Sequence, residues 1–483
     1  MQVGRPESRE AIQPERVDKQ IGVFGTFMRL LWTSTLLWWV ALGVFSDRIG
    51  LRRLRCALTF QSYTPYPWHV ALRRTFERLG PAYIKFGQII ASSEGLFPRK
   101  LSLEFRKCLD QVPAFSFDQV RATLAGDLGK PVEQVFQSIE ETPLAAASIA
   151  QVHGAVLADG REVVIKVQRP GLVKRVAGDV KVMHAWARLV ERYSHRMRLA
   201  NLSGIVDDFI STLSEEMDFR LEGLNMDEFN AILGSDPDNR VVAPHVHWEQ
   251  TSPRVLTMER FVGWSVDDVE RMQSMDDTEG ELMVGVLAWL KTLLLGGMFH
   301  GDVHAGNLLY LEDGRIGFLD FGIVGRFTPE QRQQSMGFVL YLSTGDYQRF
   351  AELVARMSEK QGEVDLQELG RDLEQAYAPL TRTTMATMDY KEVMPAIQEA
   401  SLKHGLKMPR EFVLVTKQFL YFDRYARKLA PELNFFTDPR VAGQIMTMLP
   451  QLTGASTNAS DGREPDERGA AGPDHGAAQL ARG

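Results

Sequence analysis

Cysteine is nearly absent from this chain: Cys56 and Cys108 are the two in 483 residues. Two scattered thiols exclude a disulfide framework or a cysteine-built zinc site and suit a reducing compartment. Neither lies in a recognisable motif with His or Lys, so both read as packing residues. An excess of one charge is also missing. The net charge is −7, with 55 Lys and Arg against 62 Asp and Glu. That balance carries no global footprint for nucleic acid, and no nucleic-acid partner is expected. Internal repeats are absent. So is an Arg-rich, acid-poor leader, because Glu7, Glu10, Glu15 and Asp18 punctuate residues 1–20, which read as a flexible end. What remains is an ordinary globular composition, 44% hydrophobic and 24% charged, with length for two or three domains.

One long apolar run breaks that pattern. Residues 21–46 carry a single charge, Arg29, and the run from Leu30 to Ser46 carries none. Trp32, Trp38 and Trp39 are amphipathic aromatics of the kind that favour a membrane interface. Arg48, Arg52, Arg53 and Arg55 follow at once and suit anionic headgroups. A short transmembrane helix, an interfacial helix and a helix docked on the soluble part compete. The aromatics and the basic flank favour membrane lipids as partners of a hydrophobic helix over 21–48. If it spans, the arginines put the catalytic part on the cytoplasmic side.

The chemistry concentrates in His300–Gly322. Asp302 precedes Asn307 by five residues, and Asp320 opens the tripeptide Asp320-Phe321-Gly322. Apolar runs at Asn307–Leu311 and Ile316–Leu319 flank Asp313-Gly314, which predicts a β-hairpin. A hairpin returns its ends to one place, so Asn307 and Asp320 can face one another. An amide oxygen and a carboxylate there suit Mg²⁺, which takes few protein ligands and keeps phosphate oxygens and water. Asp302 is placed to orient or deprotonate a hydroxyl or a water. The layout is protein-kinase-like.

Upstream, Ile149–Leu157 and Glu162–Val167 read as a second hairpin, turning at Asp159-Gly160. Lys166 lies inside its apolar second strand and needs a partner. A match to the kinase Val-Ala-Ile-Lys pattern suggests contact with nucleotide phosphates. The glycine-rich loop that would precede such a lysine is missing. Ala145, Ala146, Ala147 and Ser148 stand there, and alanine restricts the positive φ that glycine permits. Residues 117–140 read as short helices, and about Gly178 to Asn230 as a long helical segment. Within it Asp218 and Glu222 share a face, whereas Glu216 and Asp218 do not. Either Glu216 or Glu222 could pair with Lys166. Residues 254–264 read as a strand entering a hinge, 281–299 as an apolar helix, and about Thr328–Leu449 as helical. No activation-loop insert closed by Ala-Pro-Glu follows Gly322, and Gly301 replaces the arginine that reads activation-loop phosphate. Both absences argue against a regulated kinase acting on protein segments. Residues 453–483 are small, polar and Gly/Pro-rich, and read as a disordered tail.

Taken together these motifs resemble the UbiB/AarF family of atypical, protein-kinase-like proteins, linked to coenzyme Q and other isoprenoid-lipid metabolism. The resemblance spans roughly residues 65–435. Its Lys-x-Gly-Gln motif matches Lys85 to Gln88, its Ala-rich loop Ala145–Ser148, its nucleotide lysine Lys166. Its Glu-x-Asp matches Glu216 and Asp218, its helix glutamate Glu222, its catalytic and metal positions Asp302, Asn307 and Asp320. The resemblance implies two ion pairs, Lys85 with Glu216 and Lys166 with Glu222. It also implies that the Lys85 helix lies over the active site and blocks a peptide groove. Ala91, Ser93 and Gly95 depart from the family's Ser, Arg and Asp.

The expected fold is α+β, a two-lobed protein-kinase-like domain with a helical N-terminal extension and a mostly helical C-lobe. Its parts are the extension over 65–115, an N-lobe over 117–260 and a C-lobe over 261–450. The expected activity is membrane-associated ATP hydrolysis or phosphoryl transfer with ATP and Mg²⁺ as cofactors. Isoprenoid or quinone precursors and quinone-biosynthesis enzymes are the expected partners. A small-molecule kinase of the aminoglycoside or choline type, and a nucleotide-gated scaffold with little chemistry, are the alternatives.

Overall fold

The computed structural model describes residues 3–12, 23–60, 62–92, 99–105, 107, 113–193, 202–236, 238–360, 363–384, 387, 390–407 and 409–453. The tail expected over 453–483, except Thr453, and the departures at Ser93 and Gly95 lie outside them.

Helices α1 (Val23–Arg48), α2 (Leu51–Leu58), α3 (Trp68–Leu79), α4 (Pro81–Ser92) and α5 (Arg99–Phe105) precede the N-lobe. Phe76 joins three of them, with its ring 5.5 Å from Tyr83 and 5.0 Å from Phe105. The N-lobe opens with α6 (Phe117–Leu128), which starts with Asp118 in its first turn and ends on Gly129 at φ 64°. A left-handed residue there closes the last carbonyls, and glycine takes it without a Cβ clash. After α7 (Val132–Val135) the chain does not stay helical, as the reading of 117–140 expects. Residues Phe136–Ile139 form strand β1, paired with the strand Ala150–Leu157. Phe136 is buried under α6, and a waiting strand edge outweighs local preference.

The hairpin β3 (Ala150–Leu157) and β4 (Glu162–Gln168) forms around Asp159-Gly160, in a register that sets Val152 opposite Lys166. The sheet runs β1-β3-β4-β6, with β2 (Ala145–Ala146) also on β3 and β6 covering Val255–Glu259. Val163, Ile165 and Val167 point from β4 into a small core capped by Val120 and Leu124 of α6. Lys166, one pleat out of phase, faces the other side.

The single helical segment expected over 178–230 is three helices. They are α8 (Leu172–Tyr193), Leu202–Glu216 and Phe219–Leu233. Asp218 sits at the corner, in extended backbone (φ −114°, ψ 99°), and its carboxylate caps the last helix by accepting from Arg220 N. Asp218 and Glu222 therefore do not share a helix face. A carboxylate that can bond the free N–H groups of a new helix favours a break there over continuation.

In the C-lobe, the apolar stretch 281–299 is helical only to Lys291 and a π-turn over Thr292–Gly296, then becomes strand β8 (Met298–His300). The hairpin β9 (Leu308–Leu311) and β10 (Ile316–Phe318) lies between β5 (Val241–Val242) and β7 (Gly263–Ser265) in the order β5-β10-β9-β7. Leu319 N donates to Asn307 O at 2.8 Å, so the hairpin ends do meet. Strand β11 (Val324–Arg326) pairs back on β8, with Val324 opposite His300. Helices fill most of 329–453, interrupted by a short ladder of Glu359–Lys360 with Leu406–Lys407.

Two N-terminal pieces differ from a free, flexible lead-in. Residues 3–12 lie on the folded body: Arg5 pairs with Asp227 at 3.1 Å, and Ile12 is buried. Helix α1 has two unlike faces. On one, Arg29 donates to the Asp179 carboxylate of α8 and to Leu79 O, and Thr33 is fully buried. On the other, Phe27, Leu31, Trp32, Trp38, Trp39 and Phe45 are exposed. Over Gly25–Arg48 this helix is long and apolar enough to cross a membrane.

Arg29→Ala would strand a buried carboxylate, which costs about 3–5 kcal/mol in such settings. An unfolding free energy lower by that amount in chemical denaturation is the expected outcome. Burial pushes Asp179 up to about 6 from its ordinary 3.8 even with Arg29 beside it. The folded state thus binds a proton that the unfolded chain releases. This contribution is fully present below pH 3.8 and is lost as pH rises through about 6. Asp179→Asn should remove that part of the pH dependence, seen as a flatter change in melting temperature between about pH 4 and 6.

Candidate active site

Lys166 stands where β4 crosses the centre of the N-lobe sheet. Its Nζ lies 2.8 and 2.9 Å from the two carboxylate oxygens of Glu222 and 3.2 Å from Asp320 Oδ1. The Phe219 ring sits 5.4 Å below it. Burial alone would pull the lysine pKa down, but Asp320 and Glu222 together raise it above its ordinary value. Burial pushes Glu222 up to about 7, against the pull of Lys166. Lys166 holds Asp320 well below the usual carboxylate range, with a further contribution from the charge of Lys85. One cation therefore serves two carboxylates, the buried Glu222 and the half-exposed Asp320.

Lys85 on α4 pairs with Glu216 at 3.3 Å, both largely buried. Gln88 lies one turn further along the same helix, half-buried. The choice left open between the two glutamates is thus resolved by the fold: Glu216 ends one helix, Glu222 opens the next, and each has its own lysine. Asp218 joins neither pair. It holds Arg220 through both carboxylate oxygens, at 3.0 and 2.7 Å.

The Ala-rich segment is not a long flap. Ala145 and Ala146 pair with Val152 and Gln151, and Ala147 N donates to Ala150 O at 2.8 Å. Arg169 Nε donates to Ala147 O, closing the turn from the far side, and Ser148 is buried beneath it. None of the four has positive φ.

The loop of Asp302 is held from several directions. His300 is buried; its Nε2 donates to Leu319 O at 2.9 Å and its Nδ1 accepts from Asp302 N at 3.2 Å. Those partners require the neutral ring, and burial lowers its pKa accordingly. Gln418, on the helix Arg410–Leu429, accepts from Val303 N at 3.0 Å and donates to Gly301 O at 2.7 Å. Tyr425 of that helix donates to Val303 O at 2.9 Å. Asn307 Nδ2 donates to Asp302 O at 3.0 Å, which leaves its Oδ1 for another partner. His304 Nε2 lies 3.8 Å from Asp302 Oδ2. At Gly301 a Cβ would come within 3.0 Å of Ile323 O, so the position that carries arginine in protein kinases is closed to a side chain here.

Asp320 has φ 55°, a left-handed conformation that costs a non-glycine residue about 1–2 kcal/mol. The next residue fixes it: Phe321 packs 5.0 Å from Phe229 and 4.8 Å from His300, and its carbonyl accepts from Asn225 Nδ2 at 2.9 Å. Asn225 lies one turn beyond Glu222, so helical spacing could have nominated it. Gln418 and Tyr425 carry no such local signal, being more than a hundred residues from the loop they hold.

As a cation site, the donors fit Mg²⁺: one amide oxygen and one ionised carboxylate, both hard. Among the described residues no cluster of three or more His, Cys, Asp or Glu forms a closed cage. Two side chains completed by phosphate oxygens and water is how Mg²⁺ is usually held. Gln418→Leu would leave a buried N–H and a buried C=O unpaired. It should lower stability by about 2–3 kcal/mol in denaturant titration, and more than Gln333→Leu on the exposed face of the helix Pro329–Thr344.

Residues 107–354 match the ABC1 atypical kinase-like domain. An uncharacterized aarF domain-containing protein kinase, chloroplastic, from Arabidopsis thaliana is 38% identical over 77% of this chain and 74% of its own length. An uncharacterized protein of Mycobacterium tuberculosis is 38% identical over 84% of both chains. A probable protein kinase UbiB from Azotobacter vinelandii is 29% identical over 84% of this chain and 75% of its own. With an α+β kinase-like fold and more than half of its length inside the family match, the chain belongs to the ABC1 atypical kinase-like family, the UbiB/AarF kinases.

Proposed function

We propose that this protein is a membrane-associated ATPase of kinase-like design that binds Mg-ATP or Mg-ADP and supports ubiquinone or other isoprenoid-lipid biosynthesis. The observation that carries the reading is Lys166, held between Glu222 and Asp320 at the mouth of the Asn307–Asp320 hairpin. Lys166 binds the α- and β-phosphates while Glu222 keeps its ammonium in place. Asn307 Oδ1 and Asp320 hold Mg²⁺, which neutralises phosphate charge. Asp302 accepts a hydrogen bond from the attacking water or hydroxyl and orients it. Such a site works by positioning and charge rather than covalent chemistry. The short, hydrogen-bonded Ala-rich turn and the Lys85 helix, tied down by Glu216, favour water or a small lipid-like acceptor over a protein segment. The UbiB name of one relative supports a pathway role with isoprenoid or quinone precursors and their biosynthetic enzymes as partners.

We read α1 as lying in the membrane interface. Arg29 and Thr33 occupy its protein face, while Phe27, Trp32, Trp38, Trp39 and Phe45 are free to enter lipid. The Arg48–Arg55 cluster then meets headgroups on the cytoplasmic side.

Phosphate release from ATP should require Mg²⁺, and Asp302→Asn should lower kcat about 100-fold or more while nucleotide still binds. Turnover unaffected by Asp302→Asn would remove that residue from the chemistry. Deleting 1–48 would also expose the surfaces that α1 and residues 3–12 cover, so membrane contact is better tested on the outer face alone. Trp38→Ser with Trp39→Ser should weaken co-sedimentation with anionic vesicles about tenfold at unchanged melting temperature. Equal sedimentation would argue for a docked helix and nothing more.

A further inference from the structure

Residues 3–12 do more than cover surface. Gly4 N donates to Thr251 O at 3.3 Å, and Arg5 meets Asp227, which also accepts from Trp248 Nε1 at 3.0 Å. Arg9 then reaches across the corner between two helices. Its NH2 lies 3.1 Å from Glu215 Oε2, at the end of Leu202–Glu216, and its NH1 donates to Asn225 Oδ1 at 2.7 Å, on Phe219–Leu233. The segment ends on buried Ile12.

The two ends of that bridge sit beside the working residues. Glu215 adjoins Glu216, the partner of Lys85. Asn225 lies one turn from Glu222, the partner of Lys166, and its amide N–H holds the carbonyl of Phe321, next to Asp320. Asn225 Oδ1 also accepts from Arg326 of β11 at 2.9 Å, and Arg326 is tied to Glu228 at 2.9 and 2.6 Å. Two guanidinium groups thus aim the Asn225 amide so that its nitrogen faces Phe321. The half-exposed Arg9–Glu215 pair contributes little by itself. The bond to the buried Asn225 amide is the stronger one, because a charged donor in a desolvated place counts for more.

We propose that residues 3–12 form a strap that positions the active site, with Arg9 as its positioning residue: it sets the angle between the helices of Glu216 and Glu222 and the aim of Asn225 at Phe321. Residues 13–22 connect this strap directly to α1. The strap therefore links the lipid-facing helix to the phosphate site through one short stretch of chain. Its effect on turnover rests on the ATPase reading above; its effect on the helix corner does not.

The test uses the full chain, wild type beside Arg9→Ala and the exposed control Glu10→Ala. Hydrogen–deuterium exchange is read by mass spectrometry together with ATP turnover. Arg9→Ala should speed exchange in peptides covering 214–226 and 319–323 about five- to tenfold, leave the β3–β4 hairpin unchanged, and leave the melting temperature within about 2 °C. It should lower kcat for Mg-ATP by a similar factor, and Glu10→Ala should do neither. Unchanged exchange in those peptides overturns the proposal. So does a uniform rise across the whole chain, which would mark Arg9 as a stability residue only. Exchange needs no turnover, so a wild-type chain that hydrolyses no ATP would sink the ATPase reading and leave the strap to be judged on its own signal.

Discussion

The pairing of Lys166 with two carboxylates is the constraint on which the rest of the molecule depends. A lysine on an apolar central strand must have a counter-charge, and here it has one permanent partner and one exposed one. Glu222 supplies the buried charge, so its helix must lie against the sheet. Asp320 supplies the other, so the C-lobe hairpin must reach the N-lobe. The two lobes are therefore registered by electrostatics at this contact. Burial raises Glu222, and the charge of Lys166 holds Asp320 low.

Around that contact the structure invests in backbone rather than in extra functional groups. The loop of Asp302 has its peptide groups bonded by His300, Asn307, Gln418 and Tyr425. Each uses a polar side chain to satisfy a buried N–H or C=O that no ladder could reach. Asp320 itself is held at positive φ by the packing of Phe321 and the bond from Asn225. The same economy explains Gly301 and the Ala-rich turn. Each removes a part that a protein-directed kinase uses, the phosphate-reading arginine and the mobile flap, and fills its space with backbone.

The N-terminal segments extend this scheme outward. A second lysine–glutamate pair, Lys85 with Glu216, ties the helical extension to the same corner that carries Glu222. Arg29 ties α1 to Asp179 of α8 and to Leu79 of that extension, and Arg9 ties the first described residues to the corner from the other side. Each tie between side chains joins a residue early in the chain to one some 130 to 215 positions later, counted along the sequence. Such contacts order the folded state strongly because each closes a large loop once the core has formed.

Much of the chemistry was legible in the amino-acid order because it is local. Asp302, Asn307 and Asp320 flank one hairpin whose turn, Asp313-Gly314, is written in the chain, and Lys166 stands out as a charge in an apolar strand. The α+β character followed from the same alternation of strand and helix patterns. What the order of residues could not decide was anything that depends on a distant partner. Phe136–Ile139 became a strand because β3 offered it an edge. Helix α1 gained a protein face because Asp179 was waiting for Arg29. Gln418 and Asn225 look like ordinary polar helix residues until the backbone groups they satisfy are seen. Local sequence determines which groups can do chemistry. Tertiary structure decides which charges and buried peptide groups those residues meet, because burial energies belong to pairs and not to single residues.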